Sequence, residues 1–161
     1  MKLKKMYLMT IIIGLIVLLG IIGILNQSKK SLLDLNSKSF KEQVLSLGQM
    51  AGTVDLSNLT RFEWDAVYSF SPYTSKESIN KVLGFKFDGL TETVNEAMNQ
   101  IIFVRRGKVV CYLYGYPSNI GYGISFDSTD YKNGVVMFYP KDNLNFTVTK
   151  NKDVIYLEHV K

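Results

Sequence analysis

The chain is poor in the residues that most often build catalytic, metal and disulfide sites. Its 161 residues include one cysteine, Cys111, and one histidine, His159. A single cysteine excludes a disulfide within the chain, and one cysteine with one histidine falls short of the usual zinc ligand set. No acidic run has calcium-loop spacing, and the chain has neither a nucleophile elbow nor a phosphate-binding glycine loop. We therefore expect no metal, no cofactor and no catalytic residue.

An excess of positive charge is also missing from most of the chain. The formal net charge is +5, but residues 1–30 hold five lysines and no acids. The remaining residues hold fourteen basic and fourteen acidic side chains, so that part has no net charge. A nucleic-acid-binding domain needs a surplus of basic residues on one face. The composition therefore predicts no nucleic-acid partner.

One long hydrophobic run, residues 6–25, is the most informative segment of the chain. It carries no charge, and Thr10 is its one clearly polar residue. A helix of this length extends about 30 Å, the thickness of the hydrocarbon core of a bilayer. The run therefore predicts a transmembrane anchor whose partner is membrane lipid. Three lysines precede the run and two follow it: Lys2, Lys4 and Lys5, then Lys29 and Lys30. This excess of basic residues before the run favours a cytoplasmic N-terminus.

A cleaved signal peptide is the alternative interpretation of the same run. Its hydrophobic core is typically about 7–15 residues long and ends at a small-x-small cleavage site. Residues 24–29 offer no such site, which favours an uncleaved anchor. The expected organisation is a cytoplasmic tail at 1–5, the anchor at 6–25, a linker at 26–36 and an extracytoplasmic domain at 37–161. The expected location is the cell membrane.

Local patterns predict two helices in the domain. An apolar stripe behind a capping box that begins at Ser39 predicts a helix at about 39–50. A second capping box, at 74–77, and Gly84 just beyond predict a helix at about 75–83. The segment 85–100 allows either a helical turn or a loop.

Alternating apolar residues predict the strands. Residues 62–70 alternate with period two, which predicts a strand with Trp64 and Tyr68 on its buried face. Gly107 separates two apolar runs and predicts a hairpin. The expected fold is α+β, a mostly antiparallel sheet with two or three helices packed on one face. The other expected strands are 101–106, 108–114, 124–126, 135–139, 145–149 and 154–159.

One part of the chain, about residues 60–115, resembles a family of small exported or membrane-anchored bacterial proteins. The resemblance is carried by FEWDAVYSFSPYTS at 62–75, by Gly84 and by IFVRRGKVV at 102–110. It implies an extracytoplasmic α+β domain. It implies no activity and assigns no catalytic residue.

The loop at 115–123 is the most suggestive candidate for a binding surface. Tyrosine offers a large amphipathic contact area at low cost in conformational entropy and is enriched at recognition surfaces. In the alternative interpretation, the first two tyrosines pack on the helices and the loop is merely ordered. The candidate binding residues are Tyr112, Tyr114, Tyr116 and Tyr122.

The sequence leaves three functional hypotheses open. The preferred one is a protein-binding module of the immunity, inhibitor or envelope-complex accessory type, which is not an enzyme. The alternative is an envelope hydrolase acting on peptide or wall sugar with Glu63, Asp65 or His159, whose side chains would then have to converge in one pocket. The third is a structural spacer. The sequence assigns no identity to the protein partner.

Overall fold

The structure of the protein, a computed structural model, describes residues 14–17, 20–21, 32–48 and 52–160. The chain divides into two compact units, Met1–Leu32 and Leu33–Lys161. In the first unit, the described residues 14–17 and 20–21 are helical and exposed. The rest of the expected anchor at 6–25, the tail at 1–5 and the linker residues 26–31 lie outside the described residues. No helix among the described residues is both long enough and apolar enough to cross a membrane.

The second unit is an α+β domain. Helix α1 covers residues 32–46. The strands and the other helices follow in this order: β1 Gly52–Asp55, a 3₁₀ helix Leu56–Leu59, β2 Ala66–Phe70, α2 Lys76–Leu83, β3 Asn99–Arg105, β4 Lys108–Gly115, α3 Pro117–Ile120, β5 Tyr122–Ser125, a 3₁₀ helix Ser128–Asp130, β6 Val135–Phe138, β7 Asn145–Asn151 and β8 Val154–His159.

The strands form two four-stranded sheets and not the single sheet that was expected. The first sheet has the order β4-β3-β2-β6 and is antiparallel throughout. The second has the order β1-β7-β8-β5, and its β5 runs parallel to β8. Period-two alternation identifies a strand but carries no information on its partner. The division into two sheets therefore had no signal in the sequence.

The main core fills the space between the two sheets. Phe103 of the first sheet faces Phe146 and Leu157 of the second, and all three are fully buried. Helix α1 contributes Phe40, whose ring centroid lies 5.8 Å from that of Phe103. Trp64 packs edge-on against Phe103 at 5.4 Å. Since buried aromatic side chains each remove a large area from water, this cluster is the main source of stability.

A second, smaller core covers the outer face of the first sheet. Ile79 and Leu83 of α2 pack there with Phe70 and Ile102. The two helices α1 and α2 thus contribute to different cores, and the expectation that the helices pack on one face is wrong. Strand β2 is buried on both faces, with Val67 in the main core and Phe70 in the outer one.

The segment predicted as a strand over 62–70 pairs only from Ala66 onward. Trp64 is buried, as expected, but it lies in the irregular segment that precedes the strand. Tyr68 belongs to the outer core. The two residues therefore do not share the single buried face that the alternation predicted, because a second layer covers each side of this sheet.

Local signals predicted α2 and the hairpin well. The Ser75 side chain accepts a hydrogen bond from the Ser78 amide at the start of α2, and Gly84 ends the helix with φ 77°. At the hairpin, Arg106 and Gly107 adopt the positive φ values that a tight turn requires, 49° and 69°. The helix and the hairpin are confirmed, because capping and turn chemistry depend on residues within a few positions of one another. The N-cap, however, is Ser75 and not Thr74, the first residue of the predicted capping box.

Helix α1 begins at residue 32, earlier than the predicted start at 39. Its first turns are held by tertiary contacts with the edge of β4. The Asn36 side chain donates to the carbonyl of Val110 at 2.8 Å, and the Ser37 hydroxyl donates to the carbonyl of Tyr112 at 3.2 Å. Residues 32–36, which the sequence predicted as part of a linker, thus form the first turns of a helix that covers an open strand edge.

Asn99 covers a second strand edge and joins the two sheets. Its side-chain amide donates to the carbonyl of Tyr122 at 3.1 Å, and its side-chain oxygen accepts from the amide of Ile124 at 2.9 Å. The Asn99 residue is 4% exposed. A residue of the first sheet thus satisfies two buried backbone groups on the edge strand of the second.

Replacing Asn99 with alanine should lower the free energy of unfolding by about 2–6 kcal/mol. The substitution leaves two buried backbone groups without a partner, each at a cost of roughly 1–3 kcal/mol. Urea unfolding of the full chain in detergent, followed by tryptophan fluorescence, measures the change. Asn119→Ala, at an exposed position, is the matched control. A loss in Asn99→Ala no larger than in the control would contradict the bridging role.

Candidate functional site

The structure distributes the four candidate tyrosines over different environments. Tyr122 lies in the main core with 3% exposure, and its ring centroid is 6.1 Å from that of Phe40. Burial raises the pKa of Tyr122. Tyr112 and Tyr114 stack on each other at 5.9 Å, and Tyr116 is the half-buried residue before α3. The structure thus brings Tyr112 and Tyr114 together and leaves the other two apart from them.

Tyr112 and Tyr114 hold the loop that follows α2. The Tyr112 hydroxyl donates to the carbonyl of Thr91 at 3.0 Å and accepts from the Thr91 amide at 3.2 Å. The Tyr114 hydroxyl donates to the carbonyl of Glu92 at 3.0 Å. The buried Gln100 side chain also donates to the Thr91 carbonyl, at 2.7 Å. Burial raises the pKa of Tyr112, so its hydroxyl keeps its proton for these bonds.

The same loop is held from its other side by the turn that leads into α2. The backbone amide of Tyr73 donates to the carbonyl of Thr93 at 3.1 Å. The backbone amide of Lys76 donates to the Glu92 carboxylate at 2.7 Å. Hydrogen bonds from two directions thus fix residues 91–93, and they set the position of Val94, the next residue in the chain.

Tyr73 has a backbone conformation that glycine normally adopts. It is the third residue of a turn in which the Thr74 amide donates to the carbonyl of Ser71 at 3.3 Å. Its φ is 65°, and the preceding Pro72 makes this a type II turn, whose third position favours glycine or asparagine. A bulky side chain in the left-handed region costs roughly 1–2 kcal/mol. This cost is not offset by burial, because Tyr73 is 67% exposed.

Tyr73 and Val94 are exposed apolar residues on two segments that the Tyr73–Thr93 backbone hydrogen bond joins, and they are here called the Tyr73–Val94 patch. With 67% and 65% exposure, they are the two most exposed large apolar side chains in the described part of the chain. Exposed acids lie close in sequence: Glu77, Glu92 and Glu96. The sequence did not predict this surface. The feature that could have indicated it is a bulky residue directly after Pro72, where a turn into a capped helix was expected.

The three side chains of the hydrolase hypothesis take separate partners. Glu63 forms an ion pair with Arg105, and the Asp65 carboxylate accepts from the backbone amide of Arg106. The groove that Asp65 helps to line includes neither Glu63 nor His159. The geometry therefore gives no support to a shared acid–base pocket.

His159 is engaged through both ring nitrogens. Nδ1 lies 2.7 Å from Asp130 Oδ2, and Nε2 lies 3.0 Å from the carbonyl oxygen of Asn143. The exposure of the two side chains is 3% for His159 and 8% for Asp130. Three phenylalanine rings surround the imidazole: Phe126, Phe138 and Phe146. This arrangement fixes the end of β8 to the preceding loops and leaves no ring nitrogen for a substrate.

Cys111 is fully buried, and its sulfur lies 3.6 Å from the Ser37 hydroxyl. Burial raises the pKa of the Cys111 thiol to about 12. Since the thiolate is the nucleophilic form, this thiol is chemically quiet at neutral pH. Its sulfur contacts Ser37 of α1, while both ring nitrogens of His159 bond other residues.

A shallow groove of about 380 Å³ lies at the far end of the first sheet from the Tyr73–Val94 patch. It is lined by Trp64, Asp65, Tyr139, Pro140 and Lys141. The groove is mainly aromatic and apolar, with one acid and one lysine at its rim. Among the described residues, no three histidine, cysteine, aspartate or glutamate side chains are grouped to hold a metal ion.

Comparisons with known proteins add no assignment. The chain matches no protein-family model, no curated protein and no solved structure. The likeness of residues 60–115 to exported bacterial proteins thus remains a resemblance. A function for the chain therefore has to be inferred from the surfaces described above.

Replacing Tyr73 with glycine should raise the free energy of unfolding by about 1 kcal/mol. Glycine adopts a positive φ without the Cβ clash, and the exposed ring contributes little burial. Urea unfolding of the full chain measures the change. Lys152→Gly is the matched control, since Lys152 is also exposed and has φ 55°. A clear loss of stability in Tyr73→Gly alone would show that the ring is part of the fold.

Proposed function

We propose that this protein is a single-pass membrane protein whose extracytoplasmic domain binds another protein through the Tyr73–Val94 patch. The observation that carries the proposal is Tyr73, a large ring kept exposed at a turn position that favours glycine. A stability cost at an exposed position indicates a role outside folding. Tyrosine is also among the residues that dominate the energy of protein interfaces.

The hydrogen bonds that order the loop beneath the patch favour a role in recognition. Tyr112, Tyr114 and Gln100 hold the loop before Val94, and the Tyr73 amide is bound to the same loop. A surface that is already ordered loses little conformational entropy when a partner binds. Tyr112 and Tyr114, which the sequence offered as contact residues, therefore serve the proposed site as supports.

The acidic residues near the patch indicate the kind of partner. Glu77, Glu92 and Glu96 are exposed on the segments that carry Tyr73 and Val94, against one exposed base there, Lys76. A complementary protein surface would offer a small apolar pocket with basic residues at its rim, since matched charge speeds encounter and rejects wrong partners. An immunity protein, an inhibitor or an accessory subunit of an envelope complex would each use such a surface.

The hydrophobic run at 6–25 supports the membrane part of the proposal. It is long enough to span a bilayer as a helix, and the lysine flanks favour a cytoplasmic N-terminus. The hydrolase alternative draws no support from Glu63, Asp65 and His159, which have separate partners.

Photo-crosslinking tests the binding surface. A photoreactive residue at Val94 of the full chain, expressed in its native cells, should give one discrete crosslinked protein band. Tyr73→Gly should weaken that band by about tenfold or more, the typical effect of losing a dominant interface residue. The fold stays intact in this variant, so the loss would be a loss of binding.

The matched control places the photoreactive residue at Val82 of α2, which is also exposed, at 46%. The same band at Val82, or no band at Val94 while the protein is present at normal levels, would contradict binding through the patch.

Protease added to intact cells tests the proposed topology. With a C-terminal tag on the full chain, external protease should remove the tag from a full-length, cell-associated protein. This result is expected because the proposed domain lies outside the membrane. A tag that is digested only after the cells are lysed would place the domain in the cytoplasm. A shortened protein released into the medium would show that the N-terminal run is cleaved.

A further inference from the structure

The groove at the end of the first sheet is formed by two chain segments that lie side by side. Strands β2 and β6 pair through Val67 and Phe138, so the segment before β2 adjoins the segment after β6. The groove has a volume of about 380 Å³, at the low end of the range for small-molecule sites. Both segments line it: Trp64 and Asp65 before β2, and Tyr139, Pro140 and Lys141 after β6.

Hydrogen bonds fix the side of the groove that precedes β2. The indole N–H of Trp64 donates to the Thr60 hydroxyl at 3.0 Å. The backbone amide of Asp65 donates to the carbonyl of Val104 at 2.8 Å, and the Asp65 carboxylate accepts from the Arg106 amide at 2.6 Å. The ring and the carboxylate are therefore held in place before any ligand arrives, which lowers the entropy cost of binding.

The other side of the groove is a tight turn over residues 139–142. The Asp142 amide donates to the carbonyl of Tyr139 at 3.0 Å, and the Asp142 carboxylate accepts from the Tyr139 amide at 2.7 Å. Pro140, at the second position of the turn, fixes its own φ. The turn thus holds two exposed side chains at the groove, the Tyr139 ring, 43% exposed, and the Lys141 ammonium.

The lining of the groove carries one charge of each sign. Lys141 forms no ion pair with a residue that the structure describes, and the hydrogen bond of the Asp65 carboxylate is to a backbone amide. The neighbouring Glu63 forms an ion pair with Arg105. A ligand with a single charge would be attracted by one of the two lining charges and repelled by the other. A ligand that carries both charges matches the groove better.

The two aromatic rings indicate the kind of cation. The face of an aromatic ring has a negative electrostatic potential and attracts cations, and quaternary ammonium groups are recognised in this way. A primary ammonium has three N–H donors that need acceptors, whereas a quaternary ammonium has none and presents methyl groups. The apolar lining by Trp64, Tyr139 and Pro140 therefore favours a quaternary ammonium.

We infer that this groove binds phosphocholine. Its quaternary ammonium lies against Trp64 and Tyr139 with Asp65 as the counter-charge, and its phosphate binds the Lys141 ammonium. The ligand could be the free molecule or the same group carried by a lipid. This site goes beyond the proposed function and shares no residue with the Tyr73–Val94 patch.

The single tryptophan of the chain, Trp64, reports directly on the groove. The full chain in a maltoside detergent is titrated with phosphocholine while Trp64 emission is recorded. The emission should change saturably, with a dissociation constant on the order of 1 mM for a ligand of this size. Phosphoethanolamine, which has hydrogens in place of the three methyl groups, should bind about tenfold more weakly. Inorganic phosphate should give no saturable change.

Two substitutions separate the contributions of the ring and the ammonium. Tyr139→Leu keeps an apolar side chain without the ring and should weaken the binding of choline and of phosphocholine about five- to tenfold, whereas Tyr139→Phe should bind both normally. Lys141→Ala should weaken phosphocholine about three- to fivefold and leave choline unchanged, because choline has no phosphate. Lys150→Ala, at an exposed position of β7, is the matched control and should change neither.

Three results would overturn the inference in variants that urea unfolding shows to be folded. They are no saturable change with phosphocholine, equal affinity for phosphocholine and phosphoethanolamine, and normal binding by Tyr139→Leu. Inorganic phosphate that binds as tightly as phosphocholine would also overturn it, because the groove would then be an anion site. The crosslink expected at Val94 does not involve these residues, so the failure of either proposal leaves the other standing.

The source of the ligand is resolved by repeating the titration in lipid nanodiscs. A lipid headgroup in the groove would compete with free phosphocholine and weaken its apparent affinity about tenfold in phosphatidylcholine discs relative to phosphatidylglycerol discs. Equal affinity in the two kinds of disc would support the free molecule as the ligand.

Discussion

Open strand edges are the constraint on which this domain depends. Two four-stranded sheets have four edge strands. The unpaired N–H and C=O groups of an edge strand can pair with another chain, and they destabilise the fold if they are buried without a partner. Side chains from elsewhere in the chain cover backbone groups on two of these edges. Asn36 and Ser37 of α1 bind the edge of β4, and Asn99 binds that of β5. At the start of β6, the backbone groups of Lys132 and Val135 bond to each other, and just beyond its end the Asp142 carboxylate accepts from the Tyr139 amide.

The covered edges determine where a partner can bind. The side chains bonded to β4 and β5 oppose addition of a partner strand there, which favours recognition through side chains on the ends and loops of the sheets. The Tyr73–Val94 patch is such a surface, and its loop is held to the sheet by two half-buried tyrosine side chains and one buried glutamine side chain. The same hydrogen bonds that satisfy the loop backbone also order the exposed surface. Tyr112, Tyr114 and Gln100 thus serve the fold and would also order the proposed binding surface.

Whether an element could be predicted depends on how far apart in the sequence its interacting residues lie. Helix α2 and the Gly107 hairpin were predicted because their signals, Ser75, Gly84 and Gly107, lie within a few residues of the structure they determine. The early start of α1 was not predicted, because it depends on β4 contacts more than seventy positions away. The tyrosines were recognised as unusual. The structure places Tyr122 in the main core and uses the Tyr112 and Tyr114 hydroxyls to hold residues 91–92, and their part in binding stays a prediction. In the sequence, a tyrosine with an exposed ring looks the same as a tyrosine whose ring supports a loop. The positive φ of Tyr73, which sets this residue apart, is visible only in the structure.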